Sequence, residues 1–100
     1  MQLRVFADDG GGLHLEISSP ALIYNRRLFV PMLAPTVPLP PNVDSRTMVE
    51  VWHESVPHKV PYLLIHSEET LLKNWRVIGA IEESDSRNVL NHVLDILAWD

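Results

Sequence analysis

The chain has 100 residues, of which 46% are hydrophobic and 21% charged, the size of one compact domain and too short for two independent cores. It holds no cysteine, which excludes thiolate nucleophiles, redox pairs, disulfide staples and sulfur-bound structural zinc, and fits a reducing compartment. Eight Lys and Arg against thirteen Asp and Glu give a net charge of -5. Tight nucleic-acid binding draws on cations that release counterions, so no general basic field is on offer and any basic patch has to be local.

The chain opens Met-Gln-Leu-Arg-Val-Phe. No basic segment leads into an apolar run, and no stretch of 18 apolar residues occurs, so neither a secretory signal nor a membrane span is expected and the reading is a cytoplasmic protein. Residues 2–7 read as a strand, Leu3 and Val5 alternating with Gln2 and Arg4, followed by a turn at Asp8-Asp9-Gly10-Gly11-Gly12. From Leu13 the alternation puts Leu13, Leu15 and Ile17 on one face and His14, Glu16 and Ser18 on the other. Pro20 ends this strand, residues 21–25 connect, and Arg26-Arg27-Leu28-Phe29-Val30-Pro31-Met32-Leu33 reads as a buried strand whose proline implies an edge or a bulge.

Prolines at 35, 38, 40 and 41 predict an extended loop over residues 34–44. A proline-rich ligand for a recognition domain is the functional alternative there, but a loop within a small domain needs no partner to explain it. Strands are expected to resume over residues 47–53 and, after a turn containing Pro57, over residues 60–66. Residues 71–78 fit strand or helix, and Gly79 closes that segment. The C-terminal segment reads as an amphipathic helix capped by Ser84 or Ser86, with Asp85 near its positive end and Val89, Leu90, Val93, Leu94 and Leu97 as the apolar stripe. Arg87, Asn88, Asn91, His92 and Asp95 occupy the opposite face. The expected architecture is one domain over residues 1–100, mainly antiparallel β with a C-terminal α-helix.

Catalytic motifs are missing. His53, His58 and His66 share a region with Glu54, Glu68 and Glu69 but form no HExxH pattern and no common face, so no metal is expected. Ser55 sits in no Gly-x-Ser-x-Gly turn, and the glycine run lacks the lysine and helix of a phosphate loop. Trp99 is more informative. Burying it would remove ~150 to 250 Å² from water, worth several kcal/mol at about 25 cal/mol per Å². Two readings compete: the indole caps the domain's own core, or it projects and anchors a partner. Asp95, Asp100 and the terminal carboxylate stand at the negative end of the helix dipole, where folding alone disfavours them. A partner whose arginine stacks on the indole and pairs with a carboxylate would account for them.

Taken together, Met1-Gln2-Leu3-Arg4-Val5-Phe6, Leu15-Glu16-Ile17-Ser18-Ser19, Arg26-Arg27-Leu28-Phe29-Val30-Pro31-Met32, Val77-Ile78-Gly79 and the helix through Leu90, Val93, Leu94, Leu97 and Trp99 resemble, in order and spacing, the CcdB family of toxins from type II toxin-antitoxin modules. The likeness covers nearly the whole chain. It implies a homodimer of a small β-barrel-like fold, of the CcdB/MazF type, with no cofactor and no enzymatic activity. Such a toxin binds the A subunit of DNA gyrase, traps cleaved DNA, inhibits replication and growth, serves plasmid maintenance, and is neutralised by the disordered tail of a CcdA-like antitoxin. By the same resemblance the gyrase contact falls on Trp99, on Asp95 one helical turn earlier, and on Leu22 and Ile23 after the second strand; Asp100 joins them through its charge beside the indole. The chain ends Trp99-Asp100, where family toxins continue through glycine to a final aliphatic or aromatic residue. Two rivals belong to other classes: a MazF-like endoribonuclease relying on Arg4, Arg26 or Arg27, and a repurposed module that only binds antitoxin.

Overall fold

A computed structural model of the chain describes residues 1–18, 26–39, 41, 48–61, 65–68 and 74–97. The first strand, β1 (Arg4–Ala7), turns back into β2 (Leu13–Glu16), with Val5 opposite Leu15 and Ala7 opposite Leu13. The turn forms because Asp8 Oδ1 accepts the amides of Gly10 and Gly12 while Asp8 N donates to Gly12 O. Gly11 sits at φ 85°, which glycine adopts without strain, and a Cβ on Gly12 would lie 2.6 Å from Asp8 Oδ2, so a larger residue there would displace the carboxylate that closes the turn.

Strand β3 (Arg26–Met32) pairs with β2, and β6 (Ile65–Glu68) pairs with β3, both antiparallel. Pro31 does not put β3 at an edge. It falls between the end of the β6 pairing at Phe29 opposite Ile65 and the bridge from Leu33 to Lys59, a gap in which no ladder bond is lost. Residues 34–37 make a turn closed by Val37 N donating to Ala34 O at 3.0 Å, with Pro35 at its second position, so the loop expected to be extended begins with a turn.

Strands β4 (Val49–His53) and β5 (Val56–Val60) form a separate antiparallel hairpin. Its two-residue loop is Glu54-Ser55, at φ 51° and 65°, the left-handed pair that a type I′ turn demands. Pro57 therefore lies inside β5, opposite Trp52, and the strand expected over residues 60–66 is divided between β5 and β6, with residues 62–64 outside the described residues. The loop carries none of the Asn or Gly that announces such a turn. Replacing Glu54-Ser55 by Asn-Gly is expected to stabilise the protein by about 1 kcal/mol and to raise Tm by roughly 4–8 °C in thermal denaturation. An unchanged or lower Tm would show that the present side chains compensate for the strained backbone.

Of the segment open to either reading, residues 71–73 lie outside the described residues and residues 76–78 fall in strand β7 (Arg76–Ala80), whose β-branched Val77 and Ile78 suit a pleated surface beside the free side of β1. Gly79 does not close it but sits within it, opposite Val5, and the register slips between Val5 and Phe6 so that Ile78 bulges. The large sheet runs β6-β3-β2-β1-β7. Among the described residues it stays open, with β6 and β7 as edges, and does not close into a barrel. Every residue of β7 is exposed.

Helix α1 (Glu83–Leu97) begins with Glu83 and Asp85 in its first turn. Neither serine caps it. Ser84 is exposed, and the Ser86 hydroxyl, fully buried, accepts from Leu3 N at 3.0 Å and donates to Glu82 O at 2.9 Å, pinning the helix to the start of β1. Asp85 Oδ2 accepts from Trp52 N at 3.0 Å, tying the same turn to the hairpin. Val89 and Val93 enter the main core with Val5, Leu15, Val30 and Val51, and Leu90 packs against it. Leu94, expected in the apolar stripe, is 62% exposed. The side chain of Leu97 lies outside the described residues. The radius of gyration is 13.1 Å, that of a compact chain of this length. No helix among the described residues is long and apolar enough to cross a membrane.

Candidate functional site

Strand alternation gives the large sheet two faces. One carries Val5, Leu15, Val30 and Met32 into the core under α1 and the hairpin. The other carries a dense polar and aromatic cluster. Glu16 is only 3% exposed and binds two arginines: Arg4 donates from Nη2 at 2.5 Å and Nε at 3.2 Å to Oε1, and Arg27 donates from Nε to Oε2. The Arg27 guanidinium lies over the rings of Phe6 at 4.9 Å and Phe29 at 5.4 Å. Phe6 and Phe29 meet edge to face at 5.4 Å, and Trp75 meets Phe29 at 5.1 Å.

Trp75 also stacks on His14, with ring centroids 4.2 Å apart and planes inclined by 16°. His14 Nε2 lies 2.8 Å from Asp8 Oδ2, and His14 Nδ1 is buried without a hydrogen-bond partner. The hydrogen bond from His14 is the main reason the Asp8 carboxyl is held below the ordinary carboxylate range; burial opposes it, and the Gly12 and Gly10 amides reinforce it. Because ionised Asp8 is the form the fold favours, its contribution is complete above about pH 4 and is lost as pH falls through that value toward its folded pKa. NMR titration is expected to show the Gly10 and Gly12 amides moving together with a midpoint below about pH 4, and Asp8→Asn to remove that transition. Midpoints at the ordinary carboxylate value would contradict the bonded geometry.

Electrostatically the group of Arg4, Glu16 and Arg27 is not neutral, since one carboxylate serves two guanidiniums. Such a buried group of charges is costly in a small domain unless every member is bonded, and aromatic stacking on Arg27 recovers part of that cost. Alternation placed these residues on one face of their strands, but not in contact. The strand pairing brings them together: a glutamate on the middle strand of a three-strand meander, with an arginine of each neighbour on the same face.

The residues expected at the partner contact fare differently. Asp95 is exposed, next to exposed Leu94 on the outer side of α1. Trp99, Asp100, Leu22 and Ile23 lie outside the described residues, and so does the side chain of Arg26. His53 and His58 do come together, buried on one face of the hairpin with ring centroids 6.2 Å apart, but among the described residues no group of three or more His, Asp or Glu is placed to hold a metal. No family model matches the chain, and no curated protein or solved structure matches it.

Proposed function

We propose that the protein is a CcdB-like toxin: a homodimer that binds the A subunit of DNA gyrase through Trp99, Asp95, Asp100, Leu22 and Ile23, stabilises cleaved DNA, and is neutralised by a CcdA-like antitoxin in the cytoplasm. Its β-barrel-like family fold belongs to the same reading. The observation that carries it is the continuity of the resembling segments. Three of them supply β1, β2 and β3, which lie side by side; Val77-Ile78-Gly79 lies in β7 on the free side of β1, and α1 follows. Segments matched singly along the chain thus make one connected sheet with one helix. Exposed Leu94 and Asp95 leave the outer side of that helix open to a partner.

One observation favours the ribonuclease reading. Arg4 and Arg27 converge on one face with His14 nearby. Both guanidiniums are bound to Glu16, which suits a structural ion cluster better than a phosphate-cleaving site. The purified protein incubated with gyrase, ATP and supercoiled plasmid is expected to retain the A subunit in pull-down and to yield linear DNA after detergent and protease treatment. RNA cleavage without gyrase capture would transfer the function to the rival. Capture of antitoxin alone would leave the repurposed module.

A further inference from the structure

A groove of about 520 Å³ opens where β1 begins and β2 ends, lined by Met1, Leu3 and Ile17, by Leu90 of α1, and by the Arg4 and Glu16 edge of the ion cluster, with Gln2 and Ser18 beside them. Its size is that of a ligand site rather than a packing defect. Its walls are apolar, and its charged rim is Arg4, which is 43% exposed and commits only Nε and Nη2 to Glu16. Because Arg27 shares that carboxylate, the group of Arg4, Glu16 and Arg27 has one more positive than negative charge in a chain of net charge -5.

We propose that this groove is a docking site for an apolar peptide segment of a protein partner that carries a carboxylate. Apolar side chains enter between Leu3, Ile17 and Leu90, and the carboxylate accepts from the part of the Arg4 guanidinium that Glu16 leaves unbound. The fork of Arg4 suits a carboxylate acceptor, while the apolar walls offer nothing to a nucleotide backbone. The surface shares no residue with the proposed gyrase contact, so either can fail without the other.

The test titrates a capped hexapeptide of alternating leucine and aspartate, and its lysine counterpart, into isotope-labelled protein. The acidic peptide is expected to shift the Leu3, Ile17 and Leu90 amides saturably, and more weakly as salt is raised. Arg4→Ala is expected to weaken binding at least about tenfold, the equivalent of one charge-assisted hydrogen bond. Since that change also disturbs Glu16, a second pair of variants keeps the cluster intact: at exposed Gln2, Gln2→Glu is expected to weaken and Gln2→Lys to tighten binding. Equal binding of the lysine peptide, no saturable shift, or indifference to the charge at position 2 would overturn the proposal. So would the same amides responding to a single-stranded oligoribonucleotide and not to the peptide, or being protected by a second copy of the chain.

Discussion

Replacing Trp99 with alanine is expected to abolish growth arrest and gyrase capture while leaving the folded protein intact. An indole that anchors an interface removes ~150 to 250 Å² from water, and truncating such an anchor costs at least about 2 kcal/mol, roughly thirtyfold in affinity. The fold should survive because described residues already join the helix to the sheet. Val89 and Val93 fill the helix side, Ile81 closes the approach, and Ser86 fastens the helix to β1. Circular dichroism and thermal denaturation of the variant therefore separate the two uses of the indole. If Tm falls by roughly 10 °C or more, as loss of a buried aromatic requires, Trp99 caps its own core and the contact must be sought elsewhere. If Tm holds and toxicity persists, the gyrase assignment of this residue is wrong. Asp95→Lys should weaken capture in the same assay and Asp95→Asn should preserve it, since the position is exposed and the resembling family often carries asparagine there.

Glu16→Ala is expected to give the largest loss of stability. The carboxylate is 3% exposed and holds Arg4 and Arg27 together, so removing it leaves two guanidiniums facing each other across β2 without a counter-charge. Breaking a buried charge pair from one side costs about 3–5 kcal/mol, and half-exposed Arg4 can recover some of that through water, which argues for the lower end. A loss near 3 kcal/mol would lower Tm by more than roughly 10 °C. The combined change Glu16→Leu with Arg27→Met should restore much of it, because Phe6, Phe29 and Trp75 already surround the site and an apolar side chain over Phe6 needs no partner. A single substitution at Glu16 without effect would mean that the cluster is solvated in solution and does not hold β1, β2 and β3 in register.

Much of the local structure was legible in the chain. The hairpin of β1 and β2, the apolar run of β3 and the C-terminal helix follow from alternation, from the Asp-Gly turn and from apolar residues at three- and four-residue spacing. The errors share a cause. Ser86 reads as a cap until Leu3 supplies a distant amide for its hydroxyl. Leu94 reads as core because helical spacing fixes which residues share a side, whereas the width of the buried stripe depends on what the helix packs against. Pro57 reads as a turn because the loop beside it, Glu54-Ser55, uses residues that rarely adopt left-handed backbone.

The candidate sites divide along the same line. Asp95 as an exposed residue on the polar side of a helix was readable from periodicity, and the lack of cysteine and of a general basic field was readable from composition. The union of Arg4, Glu16 and Arg27 was not, nor was the stacking of His14 on Trp75, which lie 61 residues apart in the sequence. Sequence by itself determined the first two strands and their parity, the third strand, the C-terminal helix and the overall charge, because these depend on steric preferences and polarity within a few residues. Only the tertiary structure decided that the second face of the sheet is covered rather than wet and that two positive charges share one negative. Burial and Coulomb interaction depend on distance in space, and the pairing order of the strands sets that distance.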